Sequence, residues 1–320
     1  TAGQGVVALG AGTFAAYDAL LTSGTVSGTA TQNVKLLAAG TVVAGGTFLN
    51  SLNIAGAFNL AFGGSSDTLT LSSGGLLKSG NTASIGISGT GGVLASSTPE
   101  LYLTNMTSGQ TLSVFSRISG GTLVLTGPGA FSLNPGTSNT YTGPTVINQS
   151  TVTVGSAAVT VFPGDLILNA AAVTMGTAAG QIASTANVTI NGGGALTLYG
   201  NNTLNSLTFN STGGNVTPTL NSGAQSITPG TVTNGSLVIV LSGSQNLTAG
   251  QFVSGTGVLP GTRITNVSAD GLTVTLSKPM QTSTPSALTF TGTLTLGGTN
   301  TFSGNLRLAG GSLAISSSTN

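Results

Sequence analysis

A chain of 320 residues in which Lys, Arg, Asp and Glu supply only 3% of positions, against roughly 25% in ordinary soluble domains, takes its polarity from Thr, Ser, Asn and 51 Gly. The net charge is +1, and Lys35, Lys78, Arg117, Arg263, Lys278 and Arg307 stand singly, so no basic stripe is available to nucleic acid phosphates. Without Cys, His or Trp the chain has no disulfide, imidazole base, thiolate nucleophile or zinc site of the usual ligands, which removes most hydrolase chemistry.

Reading from the start, Thr13 to Leu21 is the best helical candidate, with Phe14, Tyr17 and Leu20 or Leu21 on one face. It is short and Gly-flanked, and reads as a turn or part of a cap. A start at Thr1, with no Met and no cationic stretch leading into an apolar one, reads as a processed chain or a piece of a longer one. From about residue 34 onward, apolar and polar residues alternate over short runs cut by Gly or Gly-Asn clusters, the mark of half-buried strands. In Thr151-Val152-Thr153-Val154 the β-branched residues suit a pleated surface. No run approaches the roughly 20 apolar residues of a spanning helix. Ser236 to Ser242, the densest, is strand-sized, and the aromatics are too sparse for the girdles of a transmembrane barrel.

Three segments share Gly-x-Leu-x-Leu, a Gly/Asn turn and a second alternating strand. The first runs from Gly121 through Leu123 and Leu125 to Asn148; the second from Gly194 through Leu196 and Leu198 to Phe209; the third from Gly292 through Leu294 and Leu296 to Ile315. Stretches 292 to 316, 120 to 155 and 194 to 210 resemble the autotransporter-associated β-strand repeat of bacterial surface adhesins and giant surface proteins. That resemblance implies a right-handed parallel β-helix, or β-solenoid, displayed outside the cell. Stacking is also the physical solution for short units that cannot bury an apolar face alone. Leu and Val would point inward, Thr outward, and Asn or Gly would take the left-handed corner positions. At about 20 to 25 residues per coil and ~4.8 Å per strand, a rod of roughly 60 to 75 Å follows.

The expected organisation is a solenoid over 1–230 with an irregular N-terminal region, a hairpin-rich antiparallel insertion over 231–290, and a continuing solenoid repeat over 291–320. Asp270-Gly271 between two alternating runs carries the hairpin signal. The stretch Val253-Ser254-Gly255-Thr256-Gly257, with Pro260-Gly261-Thr262, resembles a small β module of phage and bacterial surface proteins.

The acids are Asp18, Asp67, Glu100, Asp165 and Asp270, and the closest two are 33 positions apart. They read as isolated surface or turn carboxylates, with Asp67 and Asp165 bonding their own backbone. A pair brought together by stacking would be the alternative, a polysaccharide-cleaving solenoid enzyme. Thr-x-Thr pairs at 68, 151, 231, 273 and 293 are too unevenly spaced for an ice-binding ladder. Tyr141, Leu204 and Phe302 fall in one apparent slot of the three segments, and a slot that accepts Leu reads as core. Sequons at Asn105, Asn148, Asn187 and Asn246 are expected by chance in so Ser/Thr-rich a chain. No catalytic, cofactor-binding or metal residue is therefore assigned, and no cofactor. The expected function is a structural or adhesive bacterial surface protein that self-associates into a filament or layer. A surface-polysaccharide or receptor-binding adhesin, or a phage tail fibre module using 231–290, is the alternative.

Overall fold

The computed structural model describes residues 17–22, 24–86, 91–155, 158–176, 178–210, 219–221, 223–245, 247–296, 300–303, 307–310 and 312–315. Among them there is no helix, and the chain winds as a parallel β-solenoid that carries small antiparallel sheets. Each coil visits three faces in turn. The first face is a path of 11 strands from Ala19–Leu21 through Thr122–Thr126, Thr145–Asn148, Leu166–Asn169, Asn187–Asn191 and Ser206–Asn210 to Thr301–Ser303, and two further strands of the same sheet branch from Thr68–Ser79 onto the third face. The second has 11 strands, from Gly24–Val26 to Arg307–Gly310. The third is discontinuous. Val93–Ser96 and Arg117–Ser119 pair early, a lone Phe162 to Ile182 bridge follows, and Asn202–Leu204, Thr293–Leu296 and Ser312–Ile315 close it.

Inward residues stack coil upon coil. On the first face Leu125, Ile147, Leu168, Ile190 and Phe209 are in register and no more than 1% exposed. On the second, Phe131, Val152, Val173, Leu196 and Leu220 do the same. Each such side chain contributes about 1.5–3 kcal/mol by leaving water. Alternation holds as read: in Thr151–Val154 both Val are buried and both Thr exposed.

Three details differ from the sequence reading. First, of the helical candidate, Ala19–Leu21 is a strand paired with Asn33–Leu36, while residues 13–16 lie outside the described residues. Second, the three Gly-x-Leu-x-Leu segments occupy different faces: Leu123 and Leu125 the first, Leu196 the second, Leu294 and Leu296 the third. All three faces demand the same inward alternation, so the pattern cannot say which face a strand joins. Tyr141 and Leu204 are buried as expected, but Phe302 belongs to the first face, paired with Phe209, and Leu204 to the third, paired with Leu296. Third, the non-Gly residues with positive φ among those described are Gln149 (54°) and Ala170 (48°). Asn148 and Asn169 sit just before them, and their amides have a different task. Asn169 donates to Asn148, Asn191 to Asn169 and Asn210 to Asn191 at 2.7–2.8 Å, in steps of 21, 22 and 19 residues. This amide ladder satisfies the corner polar groups that a bend would otherwise leave unpaired.

The solenoid does not stop at the antiparallel segment. Asn202–Leu204 stacks under Thr293–Leu296, Ser206–Asn210 under Thr301–Ser303, and Thr219–Asn221 under Arg307–Gly310. What lies between is diverted sideways from a corner, so the described rungs span roughly 50 Å, short of the rod length a fully coiled chain would reach.

Candidate functional site: the corner that carries the antiparallel module

Antiparallel pairing begins at Ala224, ahead of residue 231. Ala224–Ile227 pairs with Leu288–Thr291, which also pairs with Val253–Gly255; Pro229–Val232, Val238–Leu241, Thr273–Leu276 and Ile264–Val267 form a second sheet in that order. The bridge from Phe252 to Arg263 ties the two sheets together. Ile239, Val274, Leu276, Leu288 and Phe290 belong to a core cluster separate from that of the solenoid. The expected hairpin is present between Ile264–Val267 and Thr273–Leu276. In its turn, Asp270 accepts bonds from Ser268 Oγ (2.5 Å) and the Leu272 amide (3.0 Å), which hold its carboxyl below the usual range.

Where the strands leave and rejoin the solenoid, the Gly292 amide donates to the Gly223 carbonyl at 2.7 Å. Gly223 has φ of 80°, and a Cβ there would lie 2.1 Å from the Leu198 carbonyl oxygen, so only glycine fits. A second attachment pins the module to the next corner. Gln251, 2% exposed, donates through Nε2 to Asn201 Oδ1 (3.0 Å) and to the Thr291 carbonyl (2.5 Å), while Asn201 Nδ2 donates to Thr248 Oγ1 (3.1 Å).

Beside that attachment a cleft of about 470 Å³ opens on the third face, lined by Thr160, Ser184, Thr185, Asn201, Asn202 and Thr203 among others. Asn202 is fixed there, accepting from the Gly180 amide (3.1 Å) and donating to the Tyr199 and Gly200 carbonyls. On the module itself, Leu237, Val238, Val240, Phe252, Leu259 and Leu272 stand in solvent, whereas only Leu20, Phe48 and Met106 do so among the described large apolar residues elsewhere. Arg263 stacks 3.7 Å above the Phe252 ring, and Lys278 Nζ donates to the Pro260 carbonyl at 2.6 Å.

The other acids act as fasteners. Asp18 Oδ2 accepts from the Asn33 amide (2.6 Å), Asp67 from the Gly45 and Gly64 amides (2.8 and 2.7 Å), and Asp165 from the Asn187 amide (2.8 Å). Asp67 therefore bonds its own turn as expected and also the preceding coil, while the Asp165 carboxylate reaches forward to Asn187. Glu100 accepts from the Tyr102 hydroxyl (2.5 Å), which pushes that phenol's pKa up. Among the described residues no group of three or more His, Cys, Asp or Glu could hold a metal. The Thr-x-Thr pairs are scattered over several sheets, with no common ladder.

Of the sequon residues, Asn105 is fully buried and donates to the Gln110 and Ala130 carbonyls, Asn148 is in the ladder, and Asn187 accepts from Asn205 and Ser206. Asn246 lies outside the described residues. Lys78 is a fully buried cation on the first face, between Ile54 and Asn105, with Nζ 2.6 Å from the Gly80 carbonyl; burial lowers its pKa. No signal in the sequence marked it. Comparison with family models, curated proteins and solved structures yields no match.

Proposed function

We propose that the chain is a structural and adhesive element of a bacterial exterior, a stiff β-solenoid that holds a small β module out from its flank. The observation that carries this reading is the uninterrupted stacking across the diversion: the coil before the module and the coil after it are neighbours in all three sheets. Such a scaffold keeps its shape whatever the module contacts. The concentration of exposed apolar side chains on the module supports a contact role for it. A non-enzymatic role is supported by carboxylates that are each spent on fastening backbone or a neighbouring hydroxyl. Self-association would draw on the same parallel strand pairing that joins successive coils within the chain.

Electron microscopy of the purified chain tests assembly: filaments or sheets are the expected outcome, and monomeric particles at high concentration would remove self-association. Attachment of beads coated with the intact chain to bacterial or host surfaces tests adhesion. Joining residue 223 to 292, with 224–291 excised, should abolish attachment while keeping the solenoid's circular dichroism; attachment that survives excision would move the contact role off the module.

A further inference from the structure

We propose that the cleft at the foot of the module is a binding site for a neutral, hydroxyl-rich polysaccharide chain, an inference that rests on the surface role above and names a ligand for it. The cleft runs along the stacking direction, since Thr160, Ser184 with Thr185, and Thr203 come from three successive coils. Its floor is rigid. Asn201 is held by Gln251 and Thr248 of the module, and Asn202 by Gly180, Tyr199 and Gly200.

The rim is different. Among the described residues the hydroxyls of Thr160, Ser184, Thr185 and Thr203 have no hydrogen-bond partner, and Ser184, Thr185 and Thr203 are exposed. A concave site with fixed amides below and four uncommitted hydroxyls along its axis matches a ligand that offers donors and acceptors at every unit. Sugar hydroxyls meet this demand, because each can donate to one rim oxygen and accept from another. No Asp, Glu, Lys or Arg lines the cleft, so ion pairing with an acidic chain has no basis there. Its volume falls in the range of small-ligand sites. Such a site is weak per sugar, and along a polymer it gains by repetition.

Biolayer interferometry of the full chain on immobilised dextran, galactomannan and laminarin, with alginate as the acidic comparison, tests the site. Binding to at least one neutral polymer and none to alginate is expected. The double variant T185A/T203A, with unchanged circular dichroism, should bind about tenfold more weakly through loss of two hydroxyl bonds, and Ser184→Trp, which fills the cleft, should not bind. Lys278→Ala, outside the cleft, should bind as the parent does. Silence on all three neutral polymers, binding to alginate alone, or undiminished binding by the double variant overturns the proposal. A chain that assembles and attaches yet ignores neutral polymers loses the cleft site and keeps the surface role. One that binds them through the cleft yet neither assembles nor attaches loses the surface role alone.

Discussion

The solenoid and its module solve the same problem in opposite ways. In the solenoid pairing is always parallel, with the next coil 15 to 29 residues away except across the diversion, and neighbouring coils are linked by side chains: the Asn148, Asn169, Asn191 and Asn210 ladder on one corner, Asp18, Asp67 and Asp165 at others. In the module, pairing is antiparallel, two sheets are tied by the Phe252 to Arg263 bridge, and a separate core is enclosed. Parallel stacks leave corners whose polar groups need side-chain partners; hairpin-built sheets satisfy their turns locally. A chain so poor in charge can make the first kind of structure because amides and a few carboxylates do the joining.

The sharpest way to break this contrast is a matched pair of core truncations. Leu168→Ala and Ile239→Ala should each cost ~3 kcal/mol, and hydrogen exchange should show the loss of protection confined to the solenoid in the first and to the module in the second. Protection lost equally in both parts would mean that the two cores are one cooperative unit. Next in size, Gly223→Ala forces a side chain into left-handed backbone against the Leu198 carbonyl; a loss of ~2 kcal/mol is expected, read in the module's attachment by limited proteolysis at the neck. Asn169→Ala removes one of the two inner rungs of the ladder, and the loss of about 1–2 kcal/mol in urea unfolding should exceed that of an exposed Asn.

The smallest effect concerns Lys78 and carries a sign. Its folded pKa is lowered from 10.5, so between the folded value and 10.5 the native state binds fewer protons than the unfolded chain. Stability should therefore rise with pH across that window. Lys78→Met should add ~1 kcal/mol near neutral pH by removing the buried charge, and should flatten that rise; a variant less stable than its parent would show that the bond to Gly80 outweighs the burial of charge.

Much of the scaffold was legible in the residues because inward Leu, Val and Phe alternating with Thr leave few folds but stacked strands. The Asp270-Gly271 hairpin was legible for the same local reason. The face each strand joins was not, since Leu123, Leu196 and Leu294 obey one pattern on three faces. The better repeat lay elsewhere, in Val146-Ile147-Asn148, Ile167-Leu168-Asn169, Thr189-Ile190-Asn191 and Thr208-Phe209-Asn210, where the Asn that ends the strand sets the coil. The cleft was invisible because its residues come from three coils and its neighbour, Gln251, from the module; only stacking and the return of the chain at Gly292 bring them together.

The bond between Gly292 and Gly223 has a mechanical meaning. A pull along the stack is carried by the coils on either side of the corner, which are in direct register, and the module hangs from both of its ends at nearly one point. The stacked strands therefore carry most of that tension, and the module shares in it only through the bonds that Gln251 and Thr248 make to Asn201.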